Sequence, residues 1–167
     1  VPAFFWQWAP LNLKDGSLFF HINADTQGAA WNTKAAWAPE GANGHQITSG
    51  QGNLSATMIE GTRWPETATL SVELPGKSLS LTLQPIGRFQ MKGLGYTHPN
   101  WGHGTYHGPL KVEREDLDLS ALDPTAMDNF HVQMICRIED KDGNHKGMGV
   151  FEQLILGPYA PLGLEGI

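Results

Sequence analysis

The sequence predicts an all-β domain, an antiparallel barrel of roughly eight to ten strands. Three observations predict it. Short runs alternate apolar and polar residues with the period of two that marks half-buried strands. Gly, Pro, Asn and Asp separate these runs, most clearly at Pro75-Gly76 and Asp142-Gly143-Asn144. Helical character is confined to residues 116–122, and Pro124 ends it.

The elements follow in chain order. The aromatic segment 1–10 reads as loop. Residues 17–23, 30–38 and 54–60 are the first candidate strands. Leu70, Val72 and Leu74 then alternate with Thr69, Ser71 and Glu73. After Pro75-Gly76, Leu79, Leu81 and Leu83 alternate with Ser78, Ser80 and Thr82. This pair reads as a hairpin with one dry face and one wet face. Residues 88–94 and 106–113 are further candidates. Phe130, Val132, Met134, Cys136 and Ile138 alternate with His131, Gln133, Ile135, Arg137 and Glu139, and the Asp-Gly turn leads into Lys146–Leu156. The Gly- and Pro-rich end, 157–167, reads as loop. With no repeat or linker, 167 residues make a single domain, 1–167.

Composition narrows the function classes. Hydrophobic residues make up 40% of the chain, enough for a core without metals or disulfides. The lone Cys136 excludes an intrachain disulfide and points to a reducing, cytoplasmic setting. A net charge of −6 argues against nucleic acid as partner, since phosphates need a basic surface. No apolar run is long enough for a transmembrane helix, and no signal-peptide pattern opens the sequence.

Residues 95–108, GYTHPNWGHGTYHG, hold three of the seven histidines and two of the three tyrosines, with Trp101 between them. Histidine changes protonation near neutral pH, and glycine lets the backbone approach a ligand closely. The stretch is expected to end one strand, turn at the barrel mouth and begin the next at Tyr106. That places His98, Trp101 and His103 at the turn. His107 is expected on the following strand.

Strand phase adds further candidates. Trp31 and Trp37 share a face with Thr33 and Ala35, Phe19 with His21, and His131 with Gln133. Aromatic walls with a few polar groups suit an apolar ligand. The competing reading turns His21 and His131 to solvent. Glu152 shares a face with Val150, Leu154 and Leu156. If that face is interior, desolvation makes Glu152 a general acid, and otherwise it is a charge at the rim. His98, His103 and His107 are also three imidazoles of the kind that bind zinc or iron, but no carboxylate partner or HExxH pattern accompanies them. Cys136, mid-strand among apolar residues, reads as an inert core thiol, and no Gly-x-Ser-x-Gly elbow is present.

Two runs carry a resemblance. Arg88-Phe89-Gln90-Met91-Lys92-Gly93-Leu94-Gly95-Tyr96, continued by His98-Pro99-Asn100-Trp101-Gly102-His103-Gly104, and the closing GMGVFEQLILGP at 147–158, resemble the carotenoid 1,2-hydratase (hydroxyneurosporene synthase) and AttH-like superfamily. The resemblance covers the chain from about residue 10 onward and is strongest to the C-terminal half of its members. It implies a lipocalin-like up-and-down barrel. Members often join two barrels, so a second barrel domain or a homodimer is the partner it suggests. It also implies hydratase or cyclase chemistry on isoprenoid-like double bonds.

The expected function is cofactor-independent acid–base chemistry on an apolar terpenoid- or polyketide-like alkene bound in the barrel. His98, His103 and Glu152 are the catalytic candidates. Tyr96, Trp101, Tyr106, Trp31, Trp37, His21 and His131 are the candidate binding residues. A carrier that holds such a molecule unchanged is the alternative, and a metal-dependent barrel enzyme a weaker one.

Overall fold

The computed structural model describes residues 3–166. Val1, Pro2 and Ile167, the tips of the two segments read as loops, lie outside them. Eight strands form a closed antiparallel barrel: β1 (Phe4–Leu13), β2 (Gly16–Ala24), β3 (Ala30–Pro39), β4 (Thr48–Met58), β5 (Pro65–Leu74), β6 (Lys77–Gln90), β7 (Val132–Asp140) and β8 (Lys146–Leu156). Each strand pairs with the next, and β8 returns to β1. The expected lipocalin-like up-and-down barrel is the observed fold.

Local differences from the sequence reading have physical causes. The first aromatic segment is strand β1, not loop. Phe5, Ala9, Leu11 and Leu13 point inward, while Phe4, Trp6 and Trp8 line the outer face, so the apolar alternation is masked. Strand β4 begins at Thr48, six residues before the expected start at 54, and Gly50 and Gly52 hide the alternation in its first half. Strand β6 joins two expected runs through a bulge between Pro85 and Gly87, the kind of position where a strand tolerates proline. Residues 106–113 form no strand. The edge of β6 that they would need is taken by β7, and Leu110 and Val112 stay exposed. In place of the short helix at 116–122 there is one 3-10 turn, Leu119–Ala121, capped by the Asp118 side chain. His107 therefore lies on a loop.

The barrel is solid through its middle. Phe20 on β2 reaches the inner face of β4, where a Cβ on Gly52 would come within 2.8 Å of the Phe20 ring. Leu11, Leu18, Leu70, Leu81, Leu83, Ile138 and Phe151 fill the remaining bore. An eight-stranded barrel has just enough interior for such filling.

Each end is closed differently. At the end with tight hairpins, Trp37 is buried and the Lys77 ammonium lies 3.7 Å over its ring. Lys77 also meets Asp15 at 3.1 Å, and His145 reaches the same carboxylate at 3.1 Å. Burial pushes the Asp15 pKa up, but the hydrogen bonds from His145 and Lys77 outweigh it and hold the group below its ordinary value. At the other end the β4–β5 loop folds inward. Trp64 Nε1 donates to the Asn129 carbonyl at 2.7 Å, and Arg63 donates to the Gly157 carbonyl at 2.6 Å. Trp37, expected on a ligand wall, is thus part of the core.

Two outcomes follow from this packing. Phe20→Ala should lower stability by about 3–5 kcal/mol in urea unfolding, because the bore cannot collapse around the lost ring. Burial pushes the Cys136 thiol up to about 12. Native protein at neutral pH should therefore resist thiol reagents, and labelling should track global unfolding.

Candidate functional site

The polar cluster of interest lies outside the barrel wall. The connection 91–131, between β6 and β7, brings Tyr96 against His131 and the charge of Glu152 at one end of the outer wall. The register sets Glu152 opposite both Trp8 on β1 and Gln133 on β7, and all three side chains leave the barrel on its outer side. His131, just before β7, meets Glu152 there.

The pair is buried, with side chains only 4% and 6% exposed. His131 Nε2 lies 2.5 Å from Glu152 Oε1, and Gln133 Nε2 donates to Glu152 Oε2 at 3.0 Å. A carboxylate accepts hydrogen bonds, so the proton shared in this contact assigns N–H to Nε2. In the tautomer with its proton on Nε2, Nδ1 is an acceptor, and it is buried without a partner. A carboxylate orienting an imidazole whose second nitrogen is free is the arrangement used for general-base catalysis. Glu152 faces outward, yet its covering gives it the burial expected of an interior acid.

Tyr96 and His103 extend the cluster to the surface. The loop closes on itself through hydrogen bonds from Gly95 N to Trp101 O at 2.7 Å and from His103 N to Gly95 O at 3.0 Å. Gly95 has a φ of +83°, and a Cβ there would sit 2.6 Å from His103 Nε2. Glycine at 95 thus allows both the turn and the close imidazole. The Tyr96 ring packs at nearly right angles to His103 at 5.1 Å and to His131 at 5.3 Å. The row His103, Tyr96, His131, Glu152 runs from the exposed loop to the buried carboxylate. Burial pushes the Tyr96 phenol above its ordinary value of 10.0, and the charge of Glu152 adds to the rise.

Tyr96 also borders an outer cleft of about 380 Å³, walled by Trp6, Trp8, Phe19, His21 and Asn32. No Lys, Arg, Asp or Glu lines it. His21 Nε2 lies 3.2 Å from Asn32 Oδ1, and Asn32 Nδ2 donates to Asn23 Oδ1 at 3.1 Å. His21 and Phe19 share a face as expected, and that face is the outer one.

The expected turn trio divides. His103 joins the Tyr96 cluster. His98 Nδ1 accepts from the Asn100 and Trp101 amides at 3.1 and 3.0 Å, which shapes the turn. Trp101 Nε1 donates to Glu113 at 2.7 Å. His98 and Trp101 line a separate pocket of about 680 Å³ beside Phe89 and Lys92. His107 packs on the Trp101 ring at 4.6 Å. The three histidines of the metal reading do not converge, and no trio of His, Cys, Asp or Glu does so among the described residues. Trp31 and Tyr106 are 66% and 80% exposed and line neither pocket.

Five of the expected residues therefore come together: Tyr96, His103, His131 and Glu152 in the row, and His21 in the cleft that Tyr96 borders. Sequence reasoning missed Gln133, Trp6, Trp8 and Phe19 as site residues. Gln133 shares the phase of His131, which is the signal that finds it. The β1 aromatics become visible only once that segment is read as a strand.

The Tyr96 phenol gives a direct measurement. In a Tyr159→Phe background, Glu152→Gln should move Tyr96 ionisation back toward its ordinary value in a phenolate absorbance titration. Because the folded-state value is raised, the unfolded chain loses this proton first as pH climbs. Stability should thus fall above pH 10, and less so in Glu152→Gln.

No helix among the described residues is long and apolar enough to cross a membrane. Neither the curated proteins nor the solved structures contain a match to this chain. A family model does match, over residues 2–165, and by that span the chain belongs to DUF8625, a family of unknown function.

Proposed function

We propose that this protein is a cofactor-independent acid–base enzyme acting on an apolar, terpenoid- or polyketide-like alkene held in the outer aromatic cleft. The observation that carries the reading is the buried His131–Glu152 pair under Tyr96, with His131 Nδ1 unpartnered. A barrel wall does not need a buried carboxylate for packing, burying one is costly unless it is paired and hydrogen-bonded, and such buried pairs concentrate at functional sites. The resemblance to hydratases of isoprenoid double bonds supports the same chemistry.

The roles differ from those expected of the residues singly. His131 moves the proton at Nδ1. Glu152 orients the ring and supplies the counter-charge while His131 holds the extra proton, and Gln133 fixes the second carboxylate oxygen. Protonation of one alkene carbon leaves a cation on its neighbour. The faces of Trp6 and Trp8 stabilise such a cation by about 1–2 kcal/mol each when water is excluded. Water then adds to the cation and returns a proton to His131, or loss of a neighbouring proton gives an isomer. Tyr96 stands between the pair and the cleft and acts as its gate. His98 lies in the other pocket and is not needed.

Exchange of carbon-bound hydrogen tests hydration, isomerisation and cyclisation together. Acyclic terpenoid alkenes incubated in deuterium oxide should gain carbon-bound deuterium by mass spectrometry. Glu152→Gln and His131→Gln should each cut this by about 100-fold or more, with His98→Ala unchanged. Equal exchange in all variants would assign the chemistry elsewhere. The uncharged lining of the cleft also favours a second reading, a carrier that binds the molecule unchanged. It predicts binding with no exchange in any variant.

A further inference from the structure

The ladder around the barrel is uneven. Strands β3 and β4 pair only through Ala35, Ala36 and Trp37 against Gly50, Ser49 and Thr48. Beyond that point they splay. Residues 30–34 of β3 pair with β2 alone and residues 51–58 of β4 with β5 alone, among the described residues. The C-terminal segment roofs the opening. Ala160 N donates to the Thr26 carbonyl at 2.8 Å, and Pro161 packs against Gly28 so closely that a Cβ there would come within 2.5 Å of it. The Tyr159 ring stacks on Phe5 at 4.2 Å with the planes 5° apart. The result is a side cavity of about 290 Å³ lined by Phe5, Gln7, Leu54, Ala56, Met58 and Tyr159. It is separate from the cleft that Tyr96 borders.

Gln7 is one of three polar residues along that wall, with Asn53 and Ser55. It points inward from β1 and is 3% exposed. Its amide has one possible orientation. Gln153 Nε2 donates to the Arg63 carbonyl at 3.0 Å, so the nitrogen end of Gln153 is fixed. Gln153 Oε1 is therefore the acceptor, and Gln7 Nε2 donates to it at 2.9 Å. Flipping Gln7 would set two oxygens against each other. Gln7 Oε1 is thus left buried, with no partner. Buried acceptors are rarely left unpaired, and one held in this way on the wall of an uncharged cavity calls for a donor from outside the chain.

We propose that this cavity is a second binding site, for a small, uncharged molecule carrying one N–H or O–H that donates to Gln7 Oε1. The lining carries no Lys, Arg, Asp or Glu to recognise a charge. The roof formed by Tyr159, Pro161 and Leu162 leaves room for a compact molecule and closes the gap to an added strand.

Indole and benzofuran make the test, because they share one shape and differ in a single N–H. In the full chain, indole should shift the Met58 methyl and the Gln7 side-chain amide in NMR titrations. It should bind about tenfold tighter than benzofuran. Gln7→Met should erase that preference, and Ala56→Trp, which fills the cavity from β4, should abolish indole binding with the β-sheet circular dichroism retained. Equal binding of the two compounds would overturn the proposal. So would a preference that survives Gln7→Met, indole shifts confined to the Tyr96 cleft, or a bound water on Gln7 with no indole binding. Should Gln7→Met fail to fold, Ala56→Trp decides alone.

Discussion

Closure of eight strands around Phe20 is the constraint on which the rest of the molecule depends. A barrel of this size has an interior only as wide as its own side chains, and here a phenylalanine reaches across to a glycine to fill it. A solid bore supplies a rigid frame but leaves no room for chemistry at its centre. Functional groups must then sit on the outer wall, at a seam or at an end. The Tyr96 cluster uses the first of these and the Gln7 cavity the second.

Residues 91–131 turn an outer wall into a buried one. A strand face that meets water would place Glu152 among solvated charges. The covering segment removes that water, and the register delivers the hydrogen bonds that make its removal tolerable. Glu152 has a donor on each oxygen, His131 on one side and Gln133 on the other. The segment contains no strand, so its shape rests on turns such as the one His98 caps and the one Gly95 permits. The glycines and histidines of this stretch have a shared purpose. Some fold the loop, and one, His103, packs on the tyrosine that seals the pair.

Much of the fold was legible because alternation is a local property. The hairpins around Pro75-Gly76 and Asp142-Gly143 match the structure, since turn chemistry and strand phase agree there. Strand β1 was not legible, because aromatics occupy both of its faces, and the start of β4 was hidden by glycines. The site was legible residue by residue but not as an arrangement. Glu152, His131, Tyr96 and His103 stood out for their chemistry. Their meeting depends on the excursion 91–131 folding back on the wall, which no periodicity records. His98 and Trp101 misled for the same reason: adjacency in sequence to His103 did not become adjacency in space.

The two ends of the barrel carry different loads. At one end turns bring Asp15, Lys77 and His145 together over Trp37, and among the described residues no buried side-chain atom there lacks a partner. The other end carries the long connection 91–131, and the unpartnered buried atoms of the described residues gather toward it: on Gln7, Arg88, Gln90, Asn129 and His131. Random imperfection would scatter such atoms over both ends. Segregation fits a molecule whose stability is concentrated where the chain reverses tightly, leaving the opposite end free to hold polar groups unsatisfied until something binds. His131 Nδ1 and Gln7 Oε1 are then two instances of one design. Each is an atom oriented by a neighbour that takes its only other bonding choice; Gln7 lines the seam cavity, and His131 lies behind Tyr96, which borders the outer cleft.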